Sequence, residues 1–155
     1  MVDWLLFGLW AGLLFAVVML TSGGNPTAFS GPGVAQLVGF IAVTLPFTLY
    51  FALTEASAKQ GSVGKRVFGL QVETMTGKRL SMGSALLRSA IKFLPWEIGH
   101  FVAQQSFYST GAEFSTWLWL PAFFALGLPV LWIISLLTSG MTPYDRLSQS
   151  RVSRK

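Results

Sequence analysis

Three long apolar stretches without a charged residue constrain this fold more than any other feature. They cover residues 4–20, 34–53 and 117–137, and none contains Asp, Glu, Lys or Arg. Each has the ~17–25 residues that a transmembrane helix needs. Charged residues make up only 11% of the 155 residues, against about 25% in soluble domains. The pattern therefore predicts an all-α membrane protein and excludes an ordinary soluble domain.

A fourth stretch, residues 84–105, lies between the second and third apolar stretches in the sequence and is amphipathic. It carries Arg88, Lys92, Glu97 and His100 among Leu, Ile, Phe and Val. At about 100° per residue these polar positions occupy one side of a helix. Such a helix either turns its polar stripe into a bundle or lies partly in the membrane interface, as far as Leu94. We expect it to span, which predicts a four-helix transmembrane bundle.

The basic residues predict an orientation. The net charge is +5, and all eleven Lys and Arg residues fall in the link 56–80, in the tail 142–155 or early in the fourth stretch. Because cytoplasmic loops are enriched in Lys and Arg, the link and both termini are expected on the cytoplasmic side of a bacterial inner membrane. Contacts with anionic lipid headgroups are expected for Lys59, Lys65, Arg66, Lys78, Arg79, Arg151, Arg154 and Lys155.

The link and the tail contain local structural patterns within what we expect to be a single domain, 1–155. Weak alternation around Val72 predicts a short cytoplasmic β-hairpin that turns near Thr76-Gly77. Ser81 has the position of a helix N-cap for the fourth stretch. In the tail, Thr142 and Asp145 are spaced as a capping box. An alternative role for Asp145 is an ion pair across the bundle, for example with Arg88.

Three segments carry a family resemblance: Tyr50-Phe51-Ala52-Leu53-Thr54-Glu55, Gly64-Lys65-Arg66-Val67-Phe68-Gly69-Leu70-Gln71-Val72, and Tyr144-Asp145-Arg146-Leu147-Ser148-Gln149-Ser150-Arg151-Val152. Together with Arg88 they resemble the RDD family of small bacterial membrane proteins. The matching motif residues are Glu55, Gly64, Lys65, Gly69, Arg88, Asp145 and Arg146. In the family the first helix opens with an Arg followed by an Asp; Asp3 is similar to that Asp, and no Arg precedes it in the sequence.

Two functions remain open from the sequence. Few polar groups lie in the apolar stretches, which favours an accessory or assembly subunit of a larger membrane complex, with other membrane subunits or a second copy as partners. The alternative is a component of a monovalent cation/proton antiporter, an activity that the resemblance implies for some members. Glu97 and His100 are the candidate proton or ion relay.

Other function classes find no support in the sequence. There is no cysteine, one histidine, and no nucleophile-elbow or zinc-protease motif. We therefore expect no enzymatic activity, no cofactor and no metal site. The basic charge is explained by the bilayer, so no nucleic-acid partner is expected.

Overall fold

The computed structural model describes residues 2–25, 29–109 and 114–154. In chain order the elements are α1 (Val2–Thr21), α2 (Pro32–Gly39), a π-helical turn (Phe40–Thr44), α3 (Leu45–Glu55), α4 (Val63–Val67), β1 (Leu70–Thr74), α5 (Met82–Tyr108), a 3₁₀ turn (Thr116–Leu118), α6 (Trp119–Ser139), α7 (Pro143–Leu147) and β2 (Ser150–Arg154).

Within the described residues, three helical segments are long and apolar enough to cross a membrane. They are Val2–Thr21, Pro32–Glu55 and Thr116–Ser139, which matches the three uncharged stretches of the sequence. The amphipathic α5 is longer, with 27 residues, but it is too polar to be counted among these three segments. The fourth span therefore stays a prediction.

The second segment is continuous from α2 through the π-helical turn into α3. Pro46 has no amide hydrogen, so the carbonyl four residues before it loses its helical donor. That carbonyl, on Ala42, accepts a hydrogen bond from Trp10 Nε1 at 2.8 Å. The proline thus creates an acceptor that ties α1 to the second segment.

Helix α5 lies at the centre of the fold and packs against α2, α3 and α6. Phe7, Phe51 and Phe93 form an aromatic core between α1, α3 and α5. The rings of Phe7 and Trp96 meet almost perpendicularly, with centroids 4.6 Å apart. Because lipid chains are as apolar as these residues, close packing and hydrogen bonds hold such a bundle together.

The small sheet corrects the predicted hairpin. The turn lies at the expected place, where Lys78 O accepts from Thr74 N at 2.7 Å and Gly77 has φ +78°. However, β1 pairs with β2 of the tail, antiparallel, with Val72 opposite Val152. The hairpin prediction was wrong because α5 begins at Met82, directly after its N-cap Ser81. Too few residues follow the turn to form a return strand.

The two predicted N-terminal helix caps are confirmed. Ser84 N donates to Ser81 Oγ at 3.1 Å at the start of α5. Thr142 and Asp145 form a complete capping box at the start of α7. At the end of α6, Gly140 adopts φ +69°, a left-handed conformation that favours glycine and ends the helix.

Candidate functional site

A network of buried charges lies where α3 ends and α5 begins, with Arg88 at its centre. Arg88 Nη1 donates to Glu55 Oε2 at 2.8 Å and to Oε1 at 3.1 Å. Its Nη2 and Nε donate to Asp145 Oδ1 at 2.6 and 3.0 Å. Nε also contacts Ser150 Oγ at 3.1 Å. The side chains of Arg88 and Glu55 are 3% and 0% exposed, so the pair is held away from water.

A second cation completes the charge balance around Glu55. Lys65 Nζ on α4 donates to Glu55 Oε1 at 2.8 Å. Two carboxylates, Glu55 and Asp145, thus face two cations, Arg88 and Lys65. Buried charges are tolerated when they are paired and hydrogen-bonded in this way.

Asp145 has both of the roles that the sequence left open. Its Oδ2 accepts from the backbone N of Thr142 at 3.1 Å, as the capping box requires. Its Oδ1 accepts from Arg88. The neighbouring Tyr144 ring lies 5.1 Å from the Arg88 guanidinium carbon. Burial raises the pKa of the Tyr144 hydroxyl above its ordinary value, and Thr142 and Arg88 oppose this effect.

The start of α1 is attached to the same end of the bundle through Asp3. Its Oδ2 accepts from Ser62 Oγ at 2.6 Å, and its Oδ1 accepts from Gly64 N at 3.0 Å. Tyr50 Oη donates to Asp3 Oδ1 at 3.1 Å and accepts from Val63 N at 2.9 Å. We call the set Asp3, Ser62, Gly64, Lys65, Glu55, Arg88, Asp145 and Ser150 the basic-end network.

The charged groups of the basic-end network find their partners within the network itself. Each charged group in it has a partner of the opposite sign or several hydrogen-bond donors. The network joins α1, α3, α4, α5, α7 and β2, so its contacts hold the elements of this end together. This arrangement suits a structural role, because no carboxylate in it remains unpaired for proton or ion exchange.

A second polar cluster lies near the middle of α5, around Glu97. Gln36 Nε2 donates to Glu97 Oε2 at 2.7 Å, and Thr44 Oγ1 donates to Glu97 Oε1. Thr44 is buried at the last position of the π-helical turn. In the described part of the chain no cation lies within ion-pair distance of Glu97. The carboxylate is therefore held by neutral donors only.

His100 lies one turn beyond Glu97, with partners of its own. Its Nε2 is 2.9 Å from Gln104 Nε2, and its ring stacks on Trp96 with centroids 6.2 Å apart. A Cβ at Gly39 would overlap the His100 ring, so the glycine makes room for it. Two buried atoms of the cluster, Gln36 Oε1 and His100 Nδ1, have no hydrogen-bond partner among the described residues. We call Gln36, Thr44, Glu97, His100 and Gln104 the mid-helix cluster.

The comparisons with known proteins decide the family. The model of the RDD family matches residues 1–149. The chain belongs to the RDD family. No match is found among curated proteins or among solved structures. The expected resemblance is thus confirmed, and the match extends through α1 to the start of the chain.

The RDD motif residues fall into two groups. Glu55, Gly64, Lys65, Arg88 and Asp145 belong to the basic-end network. Gly69 has φ +64° between α4 and β1, a conformation that glycine adopts without strain. Arg146 is exposed, and no ion pair of it is found among the described residues.

The residues predicted to contact lipid headgroups are mostly exposed. Lys59, Arg66, Lys78, Arg79, Arg151 and Arg154 are exposed, whereas Lys65 is half-buried in its pair with Glu55. Arg151 also pairs with Glu73 across the sheet at 2.9 Å. Lys155 lies outside the described residues. The lipid contacts themselves stay predictions.

Apart from the pair of Arg88 and Asp145 and the two helix caps, the polar partners in this RDD protein were not predicted from its sequence. Gln36 and Thr44 were not predicted to face Glu97, although they are polar residues in an otherwise apolar stretch and give a usable signal. Asp3 was not connected with Gly64, since no local pattern links positions so far apart. The proposed relay pair, Glu97 and His100, shares a helix, and no direct hydrogen bond joins the two in the described structure.

Proposed function

We propose that this RDD protein crosses the bacterial inner membrane four times, with both termini and the link in the cytoplasm. Support comes from the course of α5 beside the second segment. Its first turns meet the end of α3 through Arg88 and Glu55, and its last turn meets the residues before α2, where Phe29 O accepts from Tyr108 Oη at 2.7 Å. At ~1.5 Å per residue its 27 residues extend about 40 Å, more than the ~30 Å hydrocarbon core.

This topology predicts the location of reporter domains. A reporter after the last residue and one inserted at the exposed Thr76-Gly77 turn should both be found in the cytoplasm. A reporter at Gly23-Gly24, after α1, should be found outside and is the matched control. An external C-terminal reporter would contradict the fourth span.

For the activity, we propose monovalent cation/proton exchange at the mid-helix cluster. The observation that carries this is a carboxylate, Glu97, held near the middle of α5 by the neutral donors of Gln36 and Thr44. Replacement of the Glu97 proton by a monovalent cation would leave the net charge of the site unchanged. Ionisable groups at membrane depth are expensive and commonly mark ion pathways.

Two further features support exchange at this position. The π-helical turn ends at Thr44, and such turns are frequent at functional sites. Gln36 Oε1 has no hydrogen-bond partner among the described residues, and an amide carbonyl oxygen of this kind can coordinate an alkali cation. Buried polar atoms without a partner call for water or an ion.

The test is cation-dependent proton flux in proteoliposomes that contain the purified protein. Glu97→Gln keeps the shape of the side chain and one of its two acceptor oxygens but removes the exchangeable charge, so flux should fall at least tenfold. Glu73→Gln, which neutralises a carboxylate of the sheet, is the matched control and should retain the flux. Equal flux in the Glu97→Gln variant and the parent would remove Glu97 from the mechanism.

The accessory-subunit role is the second candidate. The observation that favours it is α6, on which no residue is buried, although an outer face of this kind also suits lipid. The same preparation separates the two functions. A stable hetero-partner after mild-detergent purification, together with no flux from the isolated chain, would favour the subunit role over exchange.

A further inference from the structure

An open cavity of about 550 Å³ lies between α5 and α6. Its wall residues belong to α1, α5, α6 and α7. Among its wall residues are Trp4, Lys92, Trp96, Ala103, Leu126 and Trp132. Leu126 is 75% exposed, so the cavity is open along the side where lipid surrounds α6.

Lys92 brings a basic side chain to the wall of this cavity. Its Nζ lies 3.2 Å from the centroid of the Phe51 ring. In the described structure it forms no ion pair or hydrogen bond, because the nearby Glu55 is already paired with Arg88 and Lys65. A buried ammonium without an anion is expensive. A negative group in the cavity beside Lys92 would stabilise the charged form of this side chain.

The rest of the wall suits a hydrocarbon chain. From Lys92 to Ala103, α5 rises ~16 Å along the cavity. Leu126 and Trp132 of α6 line the opposite side. One turn beyond Lys92, Trp96 Nε1 is buried without an acceptor among the described residues. A buried indole N–H normally donates a hydrogen bond, and the ester carbonyl oxygen of a phospholipid could accept it.

We propose that one anionic phospholipid from the leaflet at the basic end occupies this cavity. Its phosphate pairs with Lys92, and one acyl chain runs between α5 and α6 toward Ala103. A phospholipid fits better than an apolar helix of a partner, because the helix would leave the ammonium unpaired. The cavity also contacts His100 of the mid-helix cluster, but lipid retention and cation-dependent proton flux are measured separately, so either proposal can fail without the other.

The test is native mass spectrometry of the purified full chain, titrated with phosphatidylglycerol or with phosphatidylcholine. We expect one phosphatidylglycerol to be retained and phosphatidylcholine to be retained at least tenfold more weakly. Lys92→Gln should weaken phosphatidylglycerol binding roughly tenfold, whereas Lys92→Arg should preserve it. Ala103→Phe, which fills the apolar part of the cavity, should weaken both lipids.

The matched control is Arg146→Gln, which removes the charge of an exposed basic residue that does not line the cavity and should leave retention unchanged. Thermal unfolding without added lipid identifies variants that fail to fold. If Lys92→Gln does not fold, Lys92→Arg and Ala103→Phe still decide the result. Equal retention of the two lipids, or a co-purified polypeptide that crosslinks to the cavity in place of lipid, would overturn the proposal.

Discussion

Replacement of Arg88 by methionine should lower the free energy of unfolding by about 3–5 kcal/mol, the largest effect expected for a single substitution in this protein. Arg88 forms hydrogen bonds to Glu55, Asp145 and Ser150. Without it Asp145 loses its cation and Glu55 keeps only Lys65. Both carboxylates would remain buried, and the unpaired charge accounts for most of the cost. Thermal unfolding in detergent, followed by tryptophan fluorescence, measures the effect.

The control for this prediction is Arg146→Met, the same change at an exposed motif residue. It should alter stability by less than about 0.5 kcal/mol. Addition of Asp145→Asn and Glu55→Gln to the Arg88→Met variant should recover part of the loss, since neutral groups tolerate burial better than unpaired charges. A loss below about 1 kcal/mol in Arg88→Met would show that the basic-end network does not stabilise the fold.

Alanine at Gly64 should destabilise the protein by about 1–3 kcal/mol through overpacking. An ideal Cβ at this position would lie 2.5 Å from Asp3 Oδ2 and 2.8 Å from Asp3 Cγ. The added methyl group must therefore push Asp3 away from Ser62 and from the Gly64 amide. Because these bonds attach α1 to α4, the start of α1 should become accessible to protease before the rest of the chain unfolds.

The matched control is Gly8→Ala on α1, where an added Cβ meets no atom within 4 Å. In a helix interior this change should be neutral or stabilise by up to about 1 kcal/mol. Equal melting temperatures and equal protease resistance for Gly64→Ala and Gly8→Ala would contradict the close contact between Gly64 and Asp3.

The features that the sequence predicts well are those set by local physics. The three uncharged stretches become helices within a few residues of their predicted bounds, because uninterrupted hydrophobicity permits little else in lipid. Ser81 and Thr142 cap their helices as expected. For Asp145 the two hypotheses are both correct, because a carboxylate has two oxygens and each serves one role.

The features that the sequence does not predict depend on residues far apart in the chain. The partner of β1 lies in the tail, with Glu73 opposite Arg151, and only the packed bundle brings these strands together. The weak alternation of apolar and polar residues in the link predicts a strand but does not indicate which segment pairs with it. For Glu97 the same limit applies, since its donors Gln36 and Thr44 belong to another helix.

Asp145 is the last charged residue of the basic-end network to be synthesised, so the network can be completed only late in synthesis. Asp145 follows Arg88 by 57 residues, so at about 5–20 residues per second the ribosome needs roughly 3–11 s to supply it. Throughout this interval Glu55 is, among the described residues, the only hydrogen-bond partner of the Arg88 side chain that has already been synthesised. The complete network can therefore form only after the C-terminal tail has been synthesised. In a chain stalled within α6, Arg88 would be paired with Glu55 but not with Asp145, and the incompletely paired guanidinium would be accessible to cellular quality control.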